Sequence, residues 1–317
     1  MNRTQQGEGE PQPPADVASG AQTPFRPGLS LGQATLLLLL APVLFGTTGT
    51  AQALAGAQTA PLAVGALRVA VGGLSLVLVA LLDGGPRPML LVLRRQPLPA
   101  AVAALSVAAY QLFFFSAVAT TGVALGTLVA IGSGPVFAGL LGLLIGERPG
   151  WRWAAATALA VTGVLALVGP DARVVPAGVA TALGAGLAYA CFTVSARRLL
   201  RSGHPSAAVV AASFGVGALL LVPFWLGQNL QQLAGLPGLL LIGWLGFITT
   251  ALAYRLFASG LRAVPAARAT TLGLAEPLTA ATLGLLVLHE RPTPIGWLGG
   301  ALIAAGLLVQ ALPSGRS

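Results

Sequence analysis

Apolar residues run along the chain in ten long blocks separated by short polar punctuation. The blocks cover approximately 33–54, 61–82, 99–118, 122–145, 150–168, 176–199, 206–226, 238–258, 264–288 and 294–312. About 20 mostly apolar residues are needed to cross the roughly 30 Å of a bilayer's hydrocarbon. The pattern therefore predicts an all-α polytopic membrane protein with ten transmembrane helices. The connections are mostly short and leave no room for a soluble domain. The exception is 83–98 (DGGPRPMLLVLRRQPL), whose apolar stretch Met89 to Leu93 is too short to span and is expected to lie along the membrane surface. Residues 1–30 read as a disordered cytoplasmic tail, since 1–28 are rich in Pro, Gln, Gly and acids, with no apolar stretch and no cleavable signal peptide. Residues 314–317 read as a second short cytoplasmic tail.

Composition agrees with lipid as the solvent. Hydrophobic residues make up 56% of the 317 and charged residues 8%, against roughly 25% charged in a typical soluble domain. The net charge of +9 does not point to nucleic acid. All 17 basic residues are arginines, standing singly or in twos and threes between apolar runs, and their distribution follows the positive-inside rule. With both termini placed in the cytoplasm, Arg87, Arg94, Arg95, Arg148, Arg152, Arg197, Arg198, Arg201, Arg255 and Arg262 fall inside. The tails add Arg3, Arg26 and Arg316. Only Arg173 and Arg291 fall outside. Dropping one span would scramble this asymmetry.

The chain contains an internal repeat. The stretch from AYQLFFFSAV at Ala109 to LGLLIGERP at Pro149 returns as AYRLFASGLR at Ala253 to LGLLVLHERP at Pro292. Each carries a mid-span proline, Pro135 and Pro277, about a dozen residues before its Glu-Arg-Pro ending. Each is followed by a helix with a tryptophan near its start, Trp153 and Trp297. The halves are read as 31–170 and 171–313, with five spans each. Five is odd, so the second copy enters the membrane from the opposite side. Such inverted repeats are a recurring design of secondary transporters, with the substrate held near mid-membrane between the halves.

Ten spans in two such halves resemble the drug/metabolite transporter superfamily, specifically its EamA-type members. Further likeness lies in Gly65-Ala66-Leu67-Arg68 of the second span, Leu187-Ala188-Tyr189 and Ala196-Arg197-Arg198 of the sixth, and Glu276-Pro277 of the ninth. The resemblance covers roughly 33–312. It implies a carrier in the cell membrane that works without ATP, often an exporter of amino acids or other small metabolites. The superfamily's small four-span relatives use an acidic residue in their first helix. The first span here has none, so their drug/proton antiport is not carried over.

Ionisable groups within the bilayer are costly and are functional candidates by default. Glu276 stands near the middle of the ninth span, where it can carry a proton or bind a substrate ammonium; the alternative is a structural partner between helices. Arg68, in the second span, can hold a substrate carboxylate through two bonds, or tie helices together through backbone carbonyls or Glu276. Tyr110 and Tyr189 are expected to line a central cavity. Tyr254 is expected to lie near the inner interface. Gln111, Ser133, Thr193 and Gln52 are further pocket candidates. Pro135 and Pro277 are expected kinks suited to hinges, and Arg268 a gating or topological residue. The Glu147-Arg148 and Glu290-Arg291 pairs are read as ties at the ends of their spans.

Other function classes lack their residues. There is no GxxxxGK[ST] phosphate loop, no GxSxG and no HExxH. Cys191 is alone, and His204 and His289 lack ligand spacing, so no metal or other cofactor is expected. No cluster of catalytic side chains marks one membrane face, as an enzyme would need, and no ring of filter residues marks a channel. The chain reads as a secondary carrier of a small molecule by alternating access, with an amino-acid-like metabolite as expected cargo and a multidrug or quaternary-cation exporter as the alternative. The other expected associations are the lipid bilayer, a proton as candidate coupling ion, and a monomeric or homodimeric state.

Overall fold

The computed structural model describes residues 29–56, 61–168, 175–226 and 230–312. The tails, apart from Leu29, Ser30 and Leu312, and the loop carrying Arg173 lie outside the described residues. Among the described residues no strand occurs. Nine of the described helices are long and apolar enough to cross a membrane, and a tenth, shorter apolar helix begins at Trp151.

The first half comprises α1 (Leu31–Ala55), α2 (Pro61–Gly84), α3 (Pro86–Arg95), α4 (Pro97–Thr121), α5 (Val123–Gly142) and α6 (Trp151–Val168). The second half comprises α7 (Pro176–Arg201), α8 (Ser206–Leu226), α9 (Leu236–Gly243), α10 (Ala253–Leu261), α11 (Ala266–Leu272), α12 (Ala275–Val287) and α13 (Pro294–Ala311). Helix starts follow local chemistry. Ser30 and Gln33 form a reciprocal capping box at α1. Prolines open α3, α4, α7 and α13, where the missing N–H costs nothing. The amphipathic α3 has ten residues, about 15 Å of length, too short to span. It buries Val92 against its neighbours, leaves Arg94 and Arg95 exposed, and packs on α4 and α8.

The packing itself repeats. Pairing each span with the one five places later turns the contact of α4 with α7 into that of α10 with α1. It likewise turns α5 on α7 into α12 on α1, and α4 on α8 into the segment before α10 on α2. The contacts of α2 with α8 and of α6 with α13 map onto themselves. This is the signature of an inverted two-fold. The helix ends near residues 84–97, 145–151, 201–206 and 261–266 share one face and carry the described arginines named above as inner. Among the described residues the opposite face carries Arg291.

Two spans of the second half depart from simple α-helix. Between α9 and α10 the chain is π-helical over Trp244–Leu252, with the Thr250 hydroxyl donating to the Leu245 carbonyl five residues back at 2.8 Å. This wider turn lies tight on α2: a Cβ built on Gly72 would lie 2.5 Å from the Thr250 Cβ. The ninth span breaks at Gly273 and Leu274 into α11 and α12. Pro277 follows the break and has no N–H to return to the Gly273 carbonyl, which accepts from Glu276 N instead at 3.0 Å. The first half is unlike it, because α5 runs through Pro135 without interruption.

The α6–α13 seam is held by bare backbone. A Cβ on Gly299 would lie 2.7 Å from the Gly163 carbonyl oxygen, whereas one on Gly300 meets nothing closer than 3.8 Å. Small residues of this kind let membrane helices touch where no hydrophobic drive exists. Gly299→Val is therefore expected to destabilise the detergent-solubilised protein by about 1–3 kcal/mol, read as a fall in thermal midpoint, while Gly300→Ala leaves the midpoint unchanged or slightly raised.

Candidate functional site

Midway along the bundle, α4, α7, α8 and α10 enclose a small cavity of about 10 Å³, lined by Ser106, Val107, Tyr110, Gln111, Tyr189, Phe192, Phe214 and Tyr254. That is room for about one water. Helical periodicity makes this wall. Ser106 and Tyr110, and Val107 and Gln111, are spaced four apart, so they share one face of α4. The aromatic rings form a connected box. Phe214 lies 4.3 Å from Tyr254, Phe45 lies 4.9 Å from Tyr254, and Tyr110 meets Tyr189 edge-on at 6.5 Å. Tyr254 belongs to this box rather than to an interfacial belt.

Two opposite charges flank the box. Arg68 on α2 and Glu276 at the start of α12 are both partly buried. The Arg68 Nε is sealed from solvent without a hydrogen-bond partner. No ion pair joins Arg68 to Glu276, and no helix-to-helix tie of either side chain to a carbonyl is formed. They still stand within electrostatic reach of each other and of Tyr110 and Tyr254. The helix break delivers Glu276 here. Gly273 is also where Tyr189 comes close, its hydroxyl oxygen 3.1 Å from where a Cβ would be.

Of the other sequence candidates, Ser133, Thr193 and Gln52 have bonds already made. Ser133 donates to Ala130 O and packs on Gly186. Thr193 donates to Tyr189 O at 2.9 Å. The Gln52 amide reaches the Thr48 carbonyl of its own helix. Arg268 stands on α11 away from the cavity, its Nε buried and without a partner, in electrostatic contact with Arg152. Arg152 in turn donates to Val309 O at 3.1 Å.

The arginine-rich face is closed by a buried clamp. Arg197 Nε contacts Glu147 Oε1 at 3.0 Å, and both side chains are about nine-tenths buried. The same guanidinium donates from Nη1 to the carbonyls of Leu261, at 2.7 Å, and Arg262. The second carboxylate oxygen of Glu147 accepts from Ala266 N at 2.7 Å, an anion at the start of α11. One ion pair thus gathers the end of the fourth span, α7, the end of α10 and the start of α11, bridging the two halves. At the opposite face Glu290, the repeat partner of Glu147, forms no ion pair among the described residues. A bond from Trp244 Nε1 to Thr47 Oγ1 at 2.9 Å lies toward that side. Sequence reasoning read Glu147 as a tie but had no means of finding Arg197, fifty residues away. It also missed Ser106, Phe192 and Phe214, whose only signal is their place on the inward face of a helix.

Comparison with known proteins follows the same two-fold division. The EamA-like transporter family matches twice, over residues 33–169 and 176–312. The transporter YwfM of Bacillus subtilis is 40% identical over 87% of this chain and 92% of its own length. The threonine/homoserine exporter RhtA of Escherichia coli is 32% identical over 77% of this chain and 80% of its own. A solved crystal structure superposes with a TM-score of 0.75 at 23% identity, covering 88% of this chain and 96% of that one, which is a likeness of fold.

Removing one partner of a buried pair strands the other charge, at about 3–5 kcal/mol. Arg197→Leu is thus expected to lower the thermal midpoint in detergent sharply. The double variant Arg197→Leu with Glu147→Gln recovers part of that loss, because no carboxylate is left unpaired. Additive losses in this double-mutant cycle would show that the two side chains do not act together.

Proposed function

The chain belongs to the EamA-like transporter family, and on that premise we propose that it exports a small zwitterionic metabolite of the amino-acid class by alternating access. The observation that carries this reading is the pair of unpartnered, opposite charges at mid-membrane. An isolated charge in lipid costs several kcal/mol. Proteins ordinarily relieve it by pairing, as Arg197 and Glu147 do. Arg68 and Glu276 stay apart although each is within the other's field. A zwitterion relieves both at once, its carboxylate on the guanidinium and its ammonium on the carboxylate. The tyrosines between them supply apolar body and hydrogen bonds. The likeness to a threonine/homoserine exporter supports the same cargo class.

In this reading the protein sits in the cell membrane with both termini in the cytoplasm, as the arginine distribution favours. The Glu147–Arg197 clamp then closes the cytoplasmic side in this conformation, and the halves rock about the central box to open one face at a time. Pro277 and the break before it let α12 move relative to α11, while Pro135 supplies the matching weak point in α5. A proton can replace the substrate ammonium on Glu276, which is a route to coupling export to the proton gradient. No cofactor takes part in this cycle. A second reading, export of a lipophilic or quaternary cation, draws on the aromatic box and Glu276, since ring faces attract cations.

Efflux from proteoliposomes distinguishes the two. A lost charge-assisted hydrogen bond of about 1.5–3 kcal/mol corresponds to roughly 10–150-fold. Glu276→Gln and Arg68→Gln are each expected to reduce amino-acid efflux to that extent. If only ethidium-like cations move, and Arg68→Gln leaves their movement intact, the cation reading replaces this one.

A further inference from the structure

The cavity wall also carries two polar side chains, Gln111 and Ser106, that the proposed binding of ammonium and carboxylate does not use. Gln111 is 4% exposed and lines the cavity. Its Oε1 is buried without a hydrogen-bond partner, and its amide makes no bond to any described residue. Ser106, 6% exposed on the same face of α4, likewise makes none. Several other buried or partly buried hydroxyls are satisfied locally: Thr35, Ser75, Thr193, Ser213 and Thr249 donate to the carbonyl four residues back in their own helix. Leaving a buried amide unpaired is costly, and a leucine would fill the same wall without that cost.

We infer that Gln111, assisted by Ser106, is a specificity subsite that reads a hydroxyl on the substrate's side chain. The inference rests on the zwitterion reading, in which Arg68 and Glu276 take the carboxylate and the ammonium. The remaining wall is aromatic or aliphatic (Val107), and apart from the tyrosine hydroxyls its polar atoms are those of Gln111 and Ser106, which are free to make a third contact. An amide offers both a donor and an acceptor, as does a serine hydroxyl. A hydroxyl is the small neutral group that answers both. Its size also fits, because the space beside the amide admits about one water. A site built to bond a substrate hydroxyl discriminates strongly against an analogue lacking it, since the site's own polar groups are then stranded.

Threonine and valine make the test, because valine carries a methyl where threonine carries its hydroxyl. Homoserine and norvaline make a second, longer pair. Each is loaded into proteoliposomes containing the full-length protein, and initial efflux rates are compared. The native protein is expected to favour the hydroxylated member of at least one pair by about tenfold or more. Gln111→Leu is expected to bring that ratio to about threefold or less, chiefly by slowing the hydroxylated substrate while its apolar isostere still moves. Ser106→Ala is expected to lower the ratio less. Retained transport of the isostere shows that the variant is folded; Gln111→Met, closer in shape, serves if Gln111→Leu is lost on purification. Equal rates for both members in the native protein would overturn the subsite and leave the zwitterion reading standing. So would an unchanged preference in both Gln111 variants. Failure to move any amino acid overturns the proposed function and this inference with it.

Discussion

Lipid supplies no hydrogen bonds, and that single deficit organises this molecule. Every backbone group in the hydrocarbon must be bonded within the chain, which leaves helices as the elements available to ten apolar blocks. It also removes the usual reason for helices to associate, because a lipid tail is as apolar as a leucine. Contact must then come from close approach, and the glycines at the α6–α13 seam and between α2 and the π-helical segment allow it. Where an α-helical ladder is broken, at Gly273 and through Trp244–Leu252, the freed groups find partners three or five residues away inside the bundle.

The same deficit separates satisfied charges from unsatisfied ones. Arg197 and Glu147 share four polar contacts with each other and with the ends of α10 and α11, so neither is left wanting. Arg68 and Glu276 do not pair, and the hydroxyl of Ser106 and the amide of Gln111 make no bond, whereas many other hydroxyls turn back on their own helices. In the proposed cycle the unmet polar groups around one cavity describe the cargo. One face is clamped by a buried ion pair, while the corresponding acid at the other face, Glu290, holds no such partner among the described residues. The halves are alike in fold and unlike at these two ends, an asymmetry on which the proposed alternating access draws.

Much of this was legible in the chain. The ten spans, the repeat and the family all follow from hydropathy and from the paired Glu-Arg-Pro endings, because each is a local property. The choice of Arg68, Glu276, Tyr110, Tyr189 and Gln111 as candidates rested on the rarity of such residues in apolar helices. Tyr254 was assigned to the interface because its position along the span says nothing of which way the ring points; in the bundle it packs on Phe45 and Phe214. Pro135 and Pro277 look equivalent on paper, but only the second sits beside a broken helix, because the neighbours that satisfy or abandon a carbonyl are not encoded nearby.

The sequence by itself determined the solvent, the number of the helices, and which few residues are rare enough in apolar spans to be candidates. Those are properties of single residues and of their spacing along one helix. Only the tertiary structure decided the partnerships: that Arg197 finds Glu147 and two carbonyls, that Arg68 and Glu276 do not meet, and that Ser106 and Gln111 face a cavity with nothing to bond. The physical reason is that a hydrogen bond or ion pair acts over about 3 Å, whereas the residues it joins here lie fifty or more positions apart, so whether a polar group is satisfied exists only once the helices are packed.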